Sequence, residues 1–177
     1  MRKALAILIL ILGFFITYFL QVNFFSWFTI SGVKPNLFIV FILFISLFCG
    51  MKVGIPLGVC FGLFLDMVIG KKLGTNAIML GAVALIGGYF DKNFSKDSRI
   101  TIMFMIIAST LVFEVGYYIL QTIELSIHIE IVPFLITLLI EVIYNAIMTI
   151  ILYPLIQKMG YKLEDTFKGQ IILTKYF

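Results

Sequence analysis

The sequence predicts an all-α protein, a polytopic membrane bundle of six transmembrane helices with both termini in the cytoplasm. Of its 177 residues, 62% are apolar and 12% are charged, whereas a soluble domain has roughly 45–50% and about 25%. The mean hydropathy is +1.15. So few charges cannot cover a soluble globule of this length, and a chain with 19 phenylalanines is not of the disordered class.

Six apolar stretches approach the roughly 20 residues that a spanning helix needs. They cover residues 4–20, 35–50, 53–69, 76–89, 101–121 and 132–156. Only Met51 and Lys52 separate the second stretch from the third. Gly50 suits a helix end and Pro56 suits the first turn of a new helix, so we expect a turn there. Without that turn the chain has five spans.

Basic residues in the loops predict the orientation. With six spans, ten of the 13 Lys and Arg residues fall on one side of the membrane, and that side is the cytoplasm by the positive-inside rule. We expect a six-helix transmembrane domain over residues 1–157 and a short cytoplasmic tail over residues 158–177. The basic residues form no clustered face, so the expected contact is membrane lipid and not nucleic acid.

Small residues recur every four positions in the third span. Gly54, Gly58 and Gly62 lead to Asp66, and Gly81 belongs to a similar stripe in the fourth span. Such stripes allow two helix backbones to approach closely. We therefore predict a helix-docking face at these glycines.

Polar side chains within the spans are the second candidate site. Asp66, Glu114 and Glu141 are the three acids, and Asn145 lies one helical turn after Glu141. Ionisable groups are costly in hydrocarbon and are functional candidates by default. The predicted topology places all three acids in the outer half of the bilayer. They are explained by hydrogen bonds between helices, by a docking site for a partner helix, or by a ligand pocket.

Two exterior loops have distinctive patterns. Residues 21–34 include four aromatic residues, so we expect this loop to lie on the bilayer or to fold over the bundle. Residues 122–131 alternate between apolar and polar, a period that fits either an extended strand with one wet face or an irregular connection.

Catalytic and metal-binding motifs are missing from the sequence. It has no nucleophile elbow, no Walker loop and only one histidine, so the ligands of a typical zinc site are lacking. We predict no enzyme activity, no cofactor and no metal.

Three segments together resemble the MreD family of bacterial rod shape-determining proteins. Pro35 and Asn36 open the second span, the glycine-rich third span ends in Asp66, and a turn follows that contains Gly70, Gly74 and Asn76. The resemblance implies a fold similar to the substrate-binding subunits of energy-coupling-factor transporters. It also implies a multi-pass protein of the bacterial cytoplasmic (inner) membrane.

The function implied by the resemblance is a non-catalytic scaffold of the elongasome that helps control cell shape and lateral peptidoglycan synthesis. Its implied direct partner is an MreC-like single-span membrane protein. Through that partner it is linked to an MreB-like cytoskeleton, a SEDS-type glycosyltransferase and a transpeptidase. The alternative is a substrate-binding subunit of an energy-coupling-factor transporter for a vitamin or another solute.

Overall fold

The computed structural model describes residues 2–69, 73–93, 98–125 and 130–168, and this part of the chain contains six α-helices. They are α1 (Arg2–Phe19), α2 (Leu37–Cys49), α3 (Met51–Ile69), α4 (Thr75–Asn93), α5 (Arg99–Leu125) and α6 (Ile131–Phe167). Four described segments are long and apolar enough to cross a membrane: Arg2–Phe24, Met51–Ile69, Arg99–Ile123 and Ile131–Phe167. The all-α prediction is therefore confirmed.

Helix α2 forms the centre of the bundle. It contacts all five other helices, and every one of its 13 residues except Phe41 is buried. A helix that is apolar on all sides is typical of such a position. At 1.5 Å per residue α2 is about 20 Å long, shorter than a typical spanning helix.

A sharp turn separates α2 from α3, as predicted. Gly50 has φ of 82°, a left-handed conformation that glycine adopts without steric cost, and its N–H donates to the carbonyl of Ser46. Helix α3 then begins at Met51, two residues before the predicted start. Pro56 consequently lies in the second turn of α3, and its placement in the first turn was wrong.

The first loop, residues 20–36, folds towards the bundle at one point and is exposed at another. Helix α1 continues into a π-helical turn at Leu20–Phe24. Beyond it, the Tyr144 hydroxyl of α6 donates to the carbonyl of Phe28 at 2.8 Å. Trp27 is 87% exposed, so its indole is available to the surroundings of the protein.

Helices α5 and α6 extend beyond the ends of the predicted spans. Residues 122–131 are predicted to form a strand or an irregular connection. Helix α5 continues to Leu125 and α6 begins at Ile131, so both ends of this segment are helical; residues 126–129 lie outside the described part. Helix α6 continues to Phe167, so the chain does not leave its helix near residue 157. The remainder of the predicted tail, residues 169–177, also lies outside the described part.

Lys168 connects three helices at the end of the bundle opposite the first loop. Its Nζ lies 2.6 Å from Asp91 Oδ2 in α4 and 3.3 Å from Glu164 Oε1 in α6. The same Nζ lies 3.4 Å from the carbonyl oxygen of Leu47, in the last turn of α2. A cation near helix C-terminal carbonyls is favourable because the helix dipole is negative there.

Candidate functional site

The small-residue stripes of α3 and α4 face each other. A Cβ added at Gly62 would lie 2.6 Å from the backbone nitrogen of Ala77, and one added at Gly81 would lie 3.2 Å from Val59 Cγ2. A Cβ at Gly58 would lie 2.8 Å from the carbonyl oxygen of Leu80. The glycines therefore allow α3 and α4 to touch along their backbones, as small-residue stripes do.

Gly54 makes the corresponding contact with α2. A Cβ there would overlap Ser46, whose hydroxyl donates a hydrogen bond to the Ala84 carbonyl of α4. The glycine face thus meets helices of the same chain. The helices that pack on the predicted helix-docking face are α2 and α4.

Asp66 caps the start of α4 from the end of α3. It is 2% exposed, and its Oδ1 accepts from the backbone N–H of Asn76 at 3.0 Å and from the Asn76 side-chain amide at 2.8 Å. Its Oδ2 accepts from the N–H groups of Gly74 at 2.8 Å and Ala77 at 3.3 Å. Asp66 satisfies donors that every helix start leaves free, and its negative charge suits the positive end of the helix dipole.

The cap formed by Asp66 also depends on Gly74 and Asn76. Gly74 has φ of 110°, which a residue with a Cβ rarely adopts, and Asn76 supplies two of the donors. Gly70, the third residue of the predicted motif turn, lies outside the described residues.

The start of α2 is held by two side chains from other parts of the chain. Gln21 Nε2 donates to the carbonyl of Pro35 at 2.7 Å, and Gln21 Oε1 accepts from the N–H of Leu37 at 3.0 Å. Asn145 Oδ1 of α6 accepts from the N–H of Asn36 at 2.7 Å. The Pro35–Asn36 segment is therefore fixed between the π-helical turn after α1 and the middle of α6.

Asn145 also joins α6 to α5. Its Nδ2 donates to Thr110 Oγ1 at 3.1 Å, and both residues are fully buried. With Glu141 and Thr149 it forms a buried polar stripe on α6. Asn145 is thus a structural crosslink whose polar atoms are used by α2 and α5.

A cavity of about 320 Å³ lies between these two capped helix starts. Its walls come from α1, the first loop and all five other helices. Its polar lining residues are Gln21, Lys34, Asn36, Asn76, Glu114 and Glu141. Its aromatic and apolar lining includes Tyr18, Phe38, Leu65, Leu80, Phe113 and Tyr117.

Two acids of the predicted polar cluster meet in this cavity. The Glu141 carboxyl lies beside the Glu114 carboxyl and beside the side-chain amides of Asn36 and Asn145. Among the described residues, Glu141 Oε1 and Asn36 Oδ1 are buried and have no hydrogen-bond partner. The cavity therefore presents two acceptor oxygens that the described part of the chain does not satisfy.

The predicted intramembrane cluster is thus divided into three parts. Asp66 belongs to the α4 cap, Asn145 to the α2–α5–α6 crosslink, and Glu114 and Glu141 to the cavity. Sequence reasoning missed Gln21 as a site residue. Its signal lay in the buried face of α1, where Ala6, Leu10 and Phe14 recur every four residues and lead along the same face to Gln21.

Comparison with known proteins gives one finding. A family model described as rod shape-determining protein MreD matches residues 1–162 of the chain. No curated protein and no solved structure gives a significant match.

Proposed function

Because the chain belongs to the MreD family of rod shape-determining proteins, its role is in determining rod shape, and we propose that it performs this role as a non-catalytic scaffold of the cell-elongation machinery. It crosses the bacterial cytoplasmic membrane six times, with both termini inside, in a fold similar to that of energy-coupling-factor substrate-binding subunits. It binds an MreC-like single-span protein. That partner links it to an MreB-like cytoskeleton, a SEDS-type glycosyltransferase and a transpeptidase.

The observation that carries this proposal is the family match, which extends over nearly the whole chain. The structure adds support from the exterior of the bundle. Leu12 of α1, Ile119 of α5 and Ile143 of α6 are each more than half exposed, and they belong to outward faces rich in apolar side chains. Large exposed apolar surfaces mark lipid or protein contacts.

The closed glycine stripe restricts where a partner helix binds. Since α4 fills the groove beside Gly58 and Gly62, the partner's spanning helix contacts an outward apolar face instead. We assign the MreC-like contact to the exposed faces of α1, α5 and α6, and we assign the interior glycines to folding of the chain.

Co-purification tests the partner. The full-length chain is expressed with a tagged MreC-like protein and extracted in mild detergent, and we expect the two to elute together at a fixed ratio. The matched control is a tagged single-span protein of the same length with an unrelated spanning sequence. A folded chain that elutes with the control and the MreC-like protein to the same extent would contradict the proposal.

Depletion in a rod-shaped host tests the cellular role. We expect cells that lose the chain to become rounder, and we expect the intact gene to restore their length-to-width ratio. The transport-subunit alternative predicts instead that cells keep their shape and lose uptake of a solute.

A further inference from the structure

The cavity has no part in the scaffold proposal, because a partner helix contacts outward faces and the cavity lies between the helix ends. Its volume is about 320 Å³, within the range of small-molecule sites. Such sites combine an apolar lining with a few polar groups that orient the ligand. Here aromatic rings supply half of the apolar lining residues, and two carboxyl groups supply the strongest acceptors.

Two acceptor oxygens in the cavity lack a hydrogen-bond donor among the described residues. Glu141 is 7% exposed, and its Oε1 has no hydrogen-bond partner in the described part of the chain. Asn36 Oδ1, on the same cavity wall, is also without a partner there. Buried polar atoms are paired in the great majority of cases, so we expect these two oxygens to accept from a donor other than the described side chains.

Charge points to a cationic donor. Glu114 and Glu141 lie within hydrogen-bonding range of each other, and two neighbouring carboxyls repel each other when both are ionised. Lys34 is the cation among the described lining residues; it is exposed, and no ion pair joins it to either acid. A cation placed beside the two acids relieves this repulsion and donates hydrogen bonds to Glu141 Oε1 and Asn36 Oδ1.

The lining favours an organic cation over a metal ion. Calcium takes six to eight oxygen ligands and magnesium retains several waters, and the described residues contain no group of three or more metal-ligating acids, histidines or cysteines. Tyr18, Phe113 and Tyr117 line the cavity, and aromatic rings attract ammonium groups.

We propose that this cavity is a binding site for a primary ammonium group carried on a compact apolar or aromatic body. The ammonium donates to Glu141 Oε1 and Asn36 Oδ1 and lies beside Glu114, and the body packs against the aromatic wall. A soluble amine and the amine headgroup of a lipid share this chemistry.

Calorimetric titration of the purified full-length chain in detergent tests the site, with phenethylamine as the probe and 2-phenylethanol as its uncharged match. We expect saturable binding of phenethylamine and none of 2-phenylethanol. Glu141→Gln, which keeps the side-chain shape, is expected to weaken amine binding about tenfold or more. Glu130→Gln is the control, because Glu130 is exposed and lies outside the cavity lining; we expect it to bind like the unmodified chain.

Two results would overturn the proposal. One is equal binding of the amine and the alcohol, which shows apolar partition only; amine binding by Glu141→Gln as strong as that by the unmodified chain would likewise exclude the carboxylate contact. The other is binding that appears in Lys34→Gln but not in the unmodified chain, which shows that the Lys34 ammonium is the resident cation. Each variant's melting temperature without ligand is measured in parallel; should Glu141→Gln fail to fold, Glu114→Gln replaces it with the same expected loss.

Lipid discs distinguish the two sources of the amine. The chain is reconstituted in phosphatidylethanolamine with phosphatidylglycerol, or in phosphatidylcholine with phosphatidylglycerol. Weaker phenethylamine binding in the ethanolamine discs alone supports a lipid headgroup as the ligand. Equal binding in both discs supports a soluble amine.

Discussion

Asp66 and Asn76 form a hydrogen-bonded pair in which one carboxylate oxygen accepts both the backbone N–H and the side-chain amide of the same residue, at 3.0 and 2.8 Å. The pair joins the last turn of α3 to the first turn of α4. An acid within a predicted span thus supplies the hydrogen-bond acceptors for the backbone N–H groups at the start of the next helix, α4. A role in folding therefore explains why an acid is buried at position 66.

Removal of this cap is expected to destabilise the protein strongly. Asp66→Ala leaves the N–H groups of Gly74, Asn76 and Ala77 without their acceptor, at a cost of about 2–3 kcal/mol in the free energy of unfolding. Asp66→Asn keeps one acceptor oxygen and should cost less. Unfolding by SDS in mixed micelles measures both, with the exposed Asp165→Asn as control; equal stability of Asp66→Ala and the control would contradict the cap.

The contact between α3 and α4 predicts effects of different size at two glycines. Gly62→Ala places a Cβ against backbone atoms of Ala77, which cannot move without shifting α4, so we expect a loss of about 1–3 kcal/mol. Gly81→Ala meets only a side-chain methyl of Val59 at 3.2 Å and should change stability by less. Similar unfolding curves for the two variants would argue against direct backbone contact at Gly62.

Asn145 and Thr110 are expected to be energetically coupled. Asn145→Ala removes hydrogen bonds to Asn36 and Thr110 and should cost about 1–2 kcal/mol, near the upper end for polar groups between membrane helices. A double-mutant cycle with Thr110→Val should give a non-zero interaction energy. Thr137→Ala is the control, since the Thr137 hydroxyl bonds only within its own helix turn in the described structure.

Lys168 links α4 and α6 by ion pairs that are expected to be weaker than the Asp66 cap and sensitive to salt. Its side chain is 21% exposed and that of Asp91 is 12% exposed, so we expect Lys168→Gln to cost about 1 kcal/mol, the upper end for partly exposed pairs. The loss should shrink at high ionic strength because salt screens exposed charges. Thermal unfolding at low and high salt measures it; a loss as small as that of the exposed Lys162→Gln would exclude a stabilising role.

The helix pattern was predictable from the sequence because the apolar stretches are long and the turn at Gly50 has a strong glycine signal. The burial of Gly54, Gly58, Gly62 and Asp66 on one face was equally predictable, since a four-residue repeat follows the helical period. Their partner was not, because a small-residue stripe fits a helix of the same chain and a helix of another chain equally well.

The division of the polar cluster depended on geometry that spacing does not contain. Asp66 lies within a turn of the α4 start only because the chain reverses through Gly74, and Asn145 reaches the α2 start across 109 positions of sequence. Glu114 and Glu141 were placed in one cluster by topology, and they do line one cavity. The sixth predicted span ended at residue 156 because the residues after 157 are mixed in polarity, as the amphipathic end of a helix such as α6 can be.

Photo-crosslinking tests the central claim, that the chain is a scaffold that binds its MreC-like partner on an outward apolar face. A photoreactive amino acid is placed at Leu12, Ile119 or Ile143, one position on each exposed face, and cells are irradiated. The account predicts a crosslink to the MreC-like protein from at least one of these positions. Folded protein that forms no such crosslink from any of the three, in cells that contain the partner, would contradict it.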